Sequence, residues 1–250
     1  MGPHLPFAMT PPNAVLLAID TCSPGAVIAA VDLDDGRIEG TVVDAPPNQT
    51  SEAMMDATAS CLSAIGAPPR PVAAVAVAEG PGTFTGTRAG LAFAFGLCVG
   101  WDVPCVPISP LEALARASGI HGEVLACLDA RKGEVYAAGF RVAADGAITA
   151  TMDAVRAPYQ AVADARPWAA IVGPGADAHA ADLNDARIRR GVVTTPSAVA
   201  AAARAAFSAS LARPPERVRA VYLRKSYAEL GLNRPKRPAY RSPLLDDDSA

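Results

Sequence analysis

The chain has 250 residues, of which 51% are hydrophobic and 19% are charged, and this composition excludes an intrinsically disordered protein. A formal net charge of -3 excludes the basic footprint of a protein that grips a phosphate backbone by itself, so we expect any involvement with RNA to run through a partner. The longest apolar run, residues 89–101, is too short to span a membrane, and residues 1–12 lack a signal-peptide pattern. We therefore expect a cytoplasmic protein with no membrane contact.

Cysteine and histidine usage argues against a metal centre and against protease chemistry. The five cysteines are scattered without a CxxC pair, which indicates buried, reduced thiols. His4, His121 and His179 are the only histidines, and none lies within helical reach of another. The sequence also has no Gly-x-Ser-x-Gly elbow. We expect neither a metal site nor a catalytic residue.

The first third of the chain predicts a strand meander followed by an amphipathic helix. Two short apolar runs, residues 15–20 and 25–32, form a hairpin whose strands are both buried, and residues 37–44 continue the sheet. Apolar side chains then recur at helical spacing over residues 49–65. Residues 72–78 are an unbroken apolar run, which is typical of a buried strand.

A glycine-rich loop, residues 80–88, leads from this strand into a helix over residues 85–100. Strand, glycine loop and helix together resemble a phosphate cradle, but Thr87-Arg88 stands where a Walker A loop needs Lys-Ser/Thr. Asp20-Thr21-Cys22 lies at the first hairpin turn, where it serves either phosphate and Mg²⁺ binding or simple turn capping. We carry Asp20, Thr21 and Arg88 forward as candidate vestigial phosphate contacts.

Arg88 lies in the first turn of that helix, where a cation opposes the helix dipole. Its position predicts an anionic neighbour, which is either an internal carboxylate or a bound ligand.

The same helix carries two stripes of small residues at i, i+4 spacing. Small residues let a second helix backbone approach closely. That neighbour is either the helix at 49–65 or another protein, and spacing alone leaves both open. The two stripes are Gly86, Gly90 and Ala94, and Ala92, Gly96 and Gly100.

The remaining chain repeats the order of strands followed by helices. We predict strands at 105–108, 123–128, 134–142 and 169–172, and helices from 110 and over 159–165, 177–182 and 197–211. The repeat predicts an α/β fold with two related subdomains. These are residues 13–115, completed by the C-terminal helix near 197–211, and residues 116–196, with flexible tails at 1–12 and 234–250.

Four segments, in order and spacing, resemble the successive signatures of the TsaB (YeaZ) family. The glycine loop, Gly-Pro-Gly-Thr-Phe-Thr-Gly-Thr-Arg at residues 80–88, is the most specific of them. The others are Leu-Ala-Ile-Asp-Thr at 17–21, Ser-Pro-Leu-Glu-Ala-Leu at 109–114 and Leu-Asp-Ala-Arg-Lys-Gly-Glu-Val-Tyr at 128–136. The Tyr-Leu-Arg string at 222–224 is similar to the family's closing segment.

This resemblance implies an actin-like fold, of the sugar kinase and heat-shock ATPase type, with two subdomains of mixed sheets flanked by helices. It also implies a non-catalytic subunit of the machinery that makes threonylcarbamoyladenosine in transfer RNA. The subunit would dimerise with a catalytic TsaD-like paralogue through the first two helices and help recruit a TsaE-like ATPase. The partner-binding residues would be Met54, Met55, Thr58, Cys61, Leu62, Gly86, Gly90, Phe93, Ala94 and Leu97.

The resemblance further implies no cofactor of the chain's own, with ATP and Mg²⁺ bound only at the complex interface and tRNA reached only through the complex. A homodimer through the same helices is expected in isolation. Thr50 stands where family members commonly carry a histidine, and the metal-binding histidine pair of the catalytic relative is missing. The alternative function is an independent actin-fold ATPase or kinase.

Overall fold

The structure is a computed structural model that describes residues 10–45, 50–180 and 185–224. The predicted tails at 1–12 and 234–250 lie outside the described residues, except for residues 10–12. Within the described ranges, two five-stranded mixed sheets are flanked by helices, which confirms the predicted α/β class.

The first sheet has the strand order β3-β2-β1-β4-β5. The β1–β2 and β2–β3 pairs are antiparallel, whereas β1–β4 and β4–β5 are parallel. All residues of β1 and β2 are buried because helices cover both faces, and their sequences are therefore unbroken apolar runs. The strands are β1 (Val15–Asp20), β2 (Ala26–Asp32), β3 (Ile38–Val43), β4 (Val72–Ala78) and β5 (Cys105–Ile108).

The second sheet repeats this topology strand for strand, with the order β8-β7-β6-β9-β10. Its first two pairs are antiparallel and the pairs on the other side of β6 are parallel, as in the first sheet. The predicted repeat of a meander followed by helices is thus confirmed. The strands are β6 (Gly122–Arg131), β7 (Glu134–Val142), β8 (Ile148–Pro158), β9 (Ala170–Val172) and β10 (Ile188–Arg189). Sequence analysis did not predict β8.

Three helices follow corresponding strands in each half, but their lengths differ greatly. The first half has α1 (Thr50–Ile65), α2 (Phe84–Trp101) and α3 (Pro110–Ala117). The second half has α4 (Tyr159–Ala163), α5 (Pro174–Asp177) and α6 (Pro196–Ser208). The helix predicted over 177–182 is wrong in its bounds, because the helix spans Pro174–Asp177 and residues 178–180 form a turn. Residues 181 and 182 of that prediction lie outside the described residues.

The last helix of each half packs on the other half's sheet. One face of the first sheet, including Leu17 and Ile19, packs against α1 and α2, and the opposite face packs against α6. Leu111 and Leu114 of α3 join the core of the second sheet instead. The boundary predicted after residue 115 therefore falls inside a helix that supports the second sheet.

Within the described ranges, no helix combines the length and the apolar character that crossing a bilayer would require.

Candidate functional site at helix α2 and the first glycine loop

The turn between β1 and β2 packs directly under the first turns of α2. Thr21 is buried, and its hydroxyl donates a hydrogen bond of 2.7 Å to the Gly86 carbonyl oxygen. A Cβ atom on Gly86 would lie 2.2 Å from the Thr21 carbonyl oxygen, and one on Gly90 would lie 2.1 Å from Thr21 Oγ1. No Cβ tolerates such distances, so these two glycines allow α2 to approach the chain's own turn.

The glycine loop before α2 is filled by the same turn. A Cβ atom on Gly82 would lie 2.6 Å from Cys22 Cβ. The Cys22 thiol lies 3.4 Å from the Thr87 hydroxyl oxygen, and burial raises the pKa of this thiol. Thr83 caps α2 by accepting a 3.1 Å hydrogen bond from the Gly86 amide. Protein atoms therefore occupy the space that a phosphate cradle would leave open.

Asp20, which ends β1, is completely buried. Its Oδ1 atom accepts a 2.8 Å hydrogen bond from the Cys22 amide, while Oδ2 has no hydrogen-bond partner among the described residues. Burial raises the pKa of Asp20, and the hydrogen bond from the Cys22 amide only partly offsets this rise. The carboxyl group is directed into the fold rather than toward solvent.

Arg88 contacts two aromatic rings. Its guanidinium carbon lies 3.7 Å from the Phe84 ring centroid, and its Nε donates a 3.0 Å hydrogen bond to the Tyr222 hydroxyl. The Phe84 and Tyr222 ring centroids are 5.4 Å apart. No carboxylate in the described part of the chain forms an ion pair with Arg88. The internal salt bridge that sequence analysis left open is therefore replaced by a cation–π contact.

Tyr222 belongs to a C-terminal strap, residues 218–224, that connects the two halves. The Val221 amide donates a 2.7 Å hydrogen bond to the Glu79 carbonyl oxygen, at the end of β4. Arg224 Nη1 donates a 3.0 Å hydrogen bond to the Ala130 carbonyl oxygen near the end of β6. Sequence analysis missed this contact set because the strap lies more than a hundred residues from the glycine loop.

The side of α2 that faces away from the Thr21 turn is exposed and carries small and apolar residues. A Cβ atom on Gly96 or Gly100 would meet nothing within 4 Å. Val99, between them, is 73% exposed. We call this surface the outer face of α2, and it consists of Ala92, Gly96, Val99 and Gly100.

The structure separates the predicted partner-binding residues into a buried and a surface set. Met55 on α1 is 51% exposed, and Gly86, Phe93 and Leu97 are partly exposed. The buried set, which supports the helices from the core of the first sheet, comprises Met54, Thr58, Cys61, Leu62, Gly90 and Ala94. The exposed apolar surface of the two helices therefore consists of the outer face of α2 and the exposed side of α1.

The three candidate phosphate contacts are not brought together. Asp20 and Thr21 are buried beneath α2, whereas Arg88 is exposed beside the strap. In the part of the chain that the structure describes, no group of three His, Cys, Asp or Glu side chains could hold a metal ion. A second glycine loop, Gly-Pro-Gly at residues 173–175, follows β9 and is also packed against protein, because a Cβ atom on Gly173 would lie 2.5 Å from the Cys127 carbonyl oxygen.

A family model and several known proteins match the chain. A family model described as TsaD, tRNA N6-adenosine threonylcarbamoyltransferase, matches residues 44–218. The tRNA threonylcarbamoyladenosine biosynthesis protein TsaB of Haemophilus influenzae is 36% identical over 128 residues, which are 50% of this chain and 52% of that protein. An uncharacterized protein of Mycobacterium bovis is 31% identical over 67% of this chain and 75% of its own length. The chain belongs to the TsaB/YeaZ family.

The TsaB/YeaZ fold extends beyond the region of clear sequence similarity. YeaZ from Pseudomonas aeruginosa matches the structure with a TM-score of 0.72, covering 84% of this chain and 100% of that one at 23% identity. This likeness shows the fold. In sequence, the chain spans about half the length of the curated TsaB relatives it matches, 52% for Haemophilus influenzae and 54% for Escherichia coli.

Alanine substitutions in the two glycine stripes of α2 should change the free energy of unfolding of this TsaB/YeaZ chain in opposite directions. Gly90→Ala is expected to lower the free energy of unfolding by about 1–3 kcal/mol, because the new methyl group overlaps Thr21 Oγ1. Gly96→Ala has open space around it and should raise the free energy of unfolding by about 0.5–1 kcal/mol. Urea denaturation measures both changes. Equal effects at the two positions would contradict the packing described above.

The buried Asp20 carboxyl group should make stability fall as pH rises. Because its pKa is higher in the folded protein than in the unfolded chain, the folded state binds the proton more tightly. The stability that this proton provides is lost between the unfolded pKa near 3.8 and the raised folded value. Asp20→Asn keeps the acceptor for the Cys22 amide but cannot ionise. The free energy of unfolding of this variant should therefore exceed that of the parent by an amount that grows with pH in this window. A difference that is independent of pH would refute a raised pKa for Asp20.

Proposed function

We propose that this chain is a non-catalytic subunit of tRNA threonylcarbamoyladenosine biosynthesis. It dimerises with a catalytic TsaD-like paralogue through the outer face of α2 and the exposed side of α1. The names of its TsaB relatives and the matching family model support the pathway. The observation that carries the proposal is that the chain's own fold uses only one of the two glycine stripes on α2.

The free-energy cost of the second stripe, Ala92, Gly96 and Gly100, favours a partner helix. A glycine inside a helix costs about 1 kcal/mol relative to alanine. At Gly86 and Gly90 the contact with Thr21 requires this cost, but at Gly96 and Gly100 the surroundings are empty. Small residues of this kind allow close approach of a second helix. The exposed Val99 between the two glycines adds apolar surface that a partner would bury.

The chemistry is assigned to the paralogue. The Asp20 carboxyl group is enclosed by the fold, and the glycine loop is occupied by Cys22. We therefore assign no nucleotide of its own to this chain, and we place ATP and Mg²⁺ only at the complex interface. The dimer recruits a TsaE-like ATPase, and tRNA modification proceeds on the complex. In isolation, the same face supports a homodimer.

A reconstituted modification assay tests the function directly. The TsaD-like paralogue, the TsaE-like ATPase and unmodified tRNA are combined with the threonylcarbamoyl donor, with and without this chain. We expect modification to require the chain, because its helices complete the active assembly. Full modification without it would contradict the proposal, and ATP turnover by the isolated chain would instead support the ATPase or kinase alternative.

A bulky residue on the outer face should block the partner without harming the fold. Gly96→Leu is expected to weaken binding of the TsaD-like paralogue by about tenfold or more, because the side chain prevents close helix approach. The thermal midpoint of the isolated variant should stay close to that of the parent, since nothing lies within 4 Å of this position. Calorimetric titration measures the affinity.

The matched control is Ala144→Leu, at an exposed position between β7 and β8 in the second half. It should leave affinity unchanged. If Gly96→Leu binds the paralogue as tightly as this control, the outer face of α2 is not the interface.

A further inference from the structure

Three planar side chains form one exposed cluster at the start of α2, and we call it the Arg88 platform: Phe84, Arg88 and Tyr222. Phe84 is 45% exposed and Tyr222 is 43% exposed, although each ring contacts the guanidinium group. The Arg88 Nε is engaged by the Tyr222 hydroxyl. Flat aromatic surface and a cation are therefore offered to solvent in one place.

Positive charge continues from the platform along the strap. Arg224, two residues after Tyr222, is held against the Ala130 carbonyl oxygen. Arg131 and Lys132 follow Ala130 at the β6–β7 turn, and both are exposed. Asp129 forms an ion pair with Arg131, in which its Oδ2 atom lies 3.6 Å from Arg131 Nε. This strip is locally cationic even though the whole chain carries a net charge of -3.

We propose that the Arg88 platform stacks an unpaired nucleobase of RNA, while the neighbouring cations contact the adjoining phosphates. Proteins hold single-stranded RNA by stacking bases on aromatic rings and guanidinium planes within a basic groove. The inference rests on the proposed function, which supplies a tRNA substrate. It departs from the expectation that RNA contact runs entirely through a partner, because the local charge, unlike the net charge, suits a polyanion.

Two features favour RNA over a carboxylate of a partner protein. A carboxylate needs the edge of one guanidinium group. It would make no use of two half-exposed rings arranged around that group. A nucleobase uses both the rings and the guanidinium plane, and the cationic strip beyond Tyr222 then matches the phosphates on either side.

The test measures binding of the isolated full-length chain to a short fluorescein-labelled single-stranded RNA by fluorescence anisotropy at several salt concentrations. Arg88→Ala is expected to weaken binding about tenfold, because a stacking surface and a cation are both lost. The slope of log affinity against log salt should stay close to that of the parent, because the proposal places the phosphates on the neighbouring cations and not on Arg88. Arg88→Lys keeps the charge but not the plane, so it should recover only part of the affinity.

Tyr222→Phe tests whether loss of the hydrogen bond to Arg88 alone lowers the RNA affinity, since it keeps the ring and removes that hydrogen bond. It should bind within about twofold of the parent, because stacking depends on the ring face. The matched control is Arg141→Ala, which removes an exposed arginine paired with Glu123, at the opposite end of the β6–β7 hairpin from Arg131. It should leave affinity unchanged.

Three results would overturn the inference. The first is RNA binding weaker than about 10⁻⁴ M at physiological salt, the weak limit of non-specific association. The second is an equal loss of affinity for Arg88→Ala and Arg141→Ala. The third is unchanged RNA binding by Arg88→Ala together with weakened binding of the TsaD-like paralogue, which would assign the platform to a protein contact. The modification assay stays an independent test, because the proposed function requires the chain in the complex whether or not the chain alone binds RNA.

Discussion

Thr21 occupies the space left by two missing side chains on α2, and this contact determines which side of the helix faces the first sheet. Its hydroxyl donates a hydrogen bond to the Gly86 carbonyl oxygen, and the same oxygen atom would lie only 2.1 Å from a Cβ atom on Gly90. Cys22 likewise packs closely against Gly82 in the glycine loop, where an added Cβ atom would lie 2.6 Å from Cys22 Cβ. With α2 held by its first turns, the outer face is necessarily directed away from the core, and its apolar surface is left without a partner in the described part of the chain.

The two halves share one strand topology but differ in the lengths of their helices. The second glycine loop packs on β6 as the first packs on the β1–β2 turn. The helices after β8 and β9 are only 5 and 4 residues long, against 16 and 18 residues in the first half. Only the first half therefore presents two long helices side by side on one sheet face. Within the described residues, a surface formed by two long helices is found in that half alone.

Sequence patterns predicted the elements that rest on strong local signals and missed those that depend on tertiary context. The buried hairpin, α1, and the glycine loop followed by α2 were confirmed because unbroken apolar runs, helical spacing and glycines are local features. Strand β8 was missed because Ile148–Pro158 is a partly exposed edge strand of threonines, alanines and charges. Spacing could show two small-residue stripes on α2, but it could not show which stripe faces Thr21. Tyr222 was not identified as the neighbour of Arg88, because the two residues are 134 positions apart.

Solvent access at Val99 tests the central claim most directly. All five native cysteines are buried, so Val99→Cys would introduce the only exposed thiol in the described part of the chain. Its rate of modification by a maleimide is compared with that of Ala144→Cys, in the absence and presence of saturating TsaD-like paralogue. The account predicts that the partner slows modification at residue 99 at least tenfold and leaves residue 144 unaffected. Equal rates at residue 99 with and without the bound partner would contradict it.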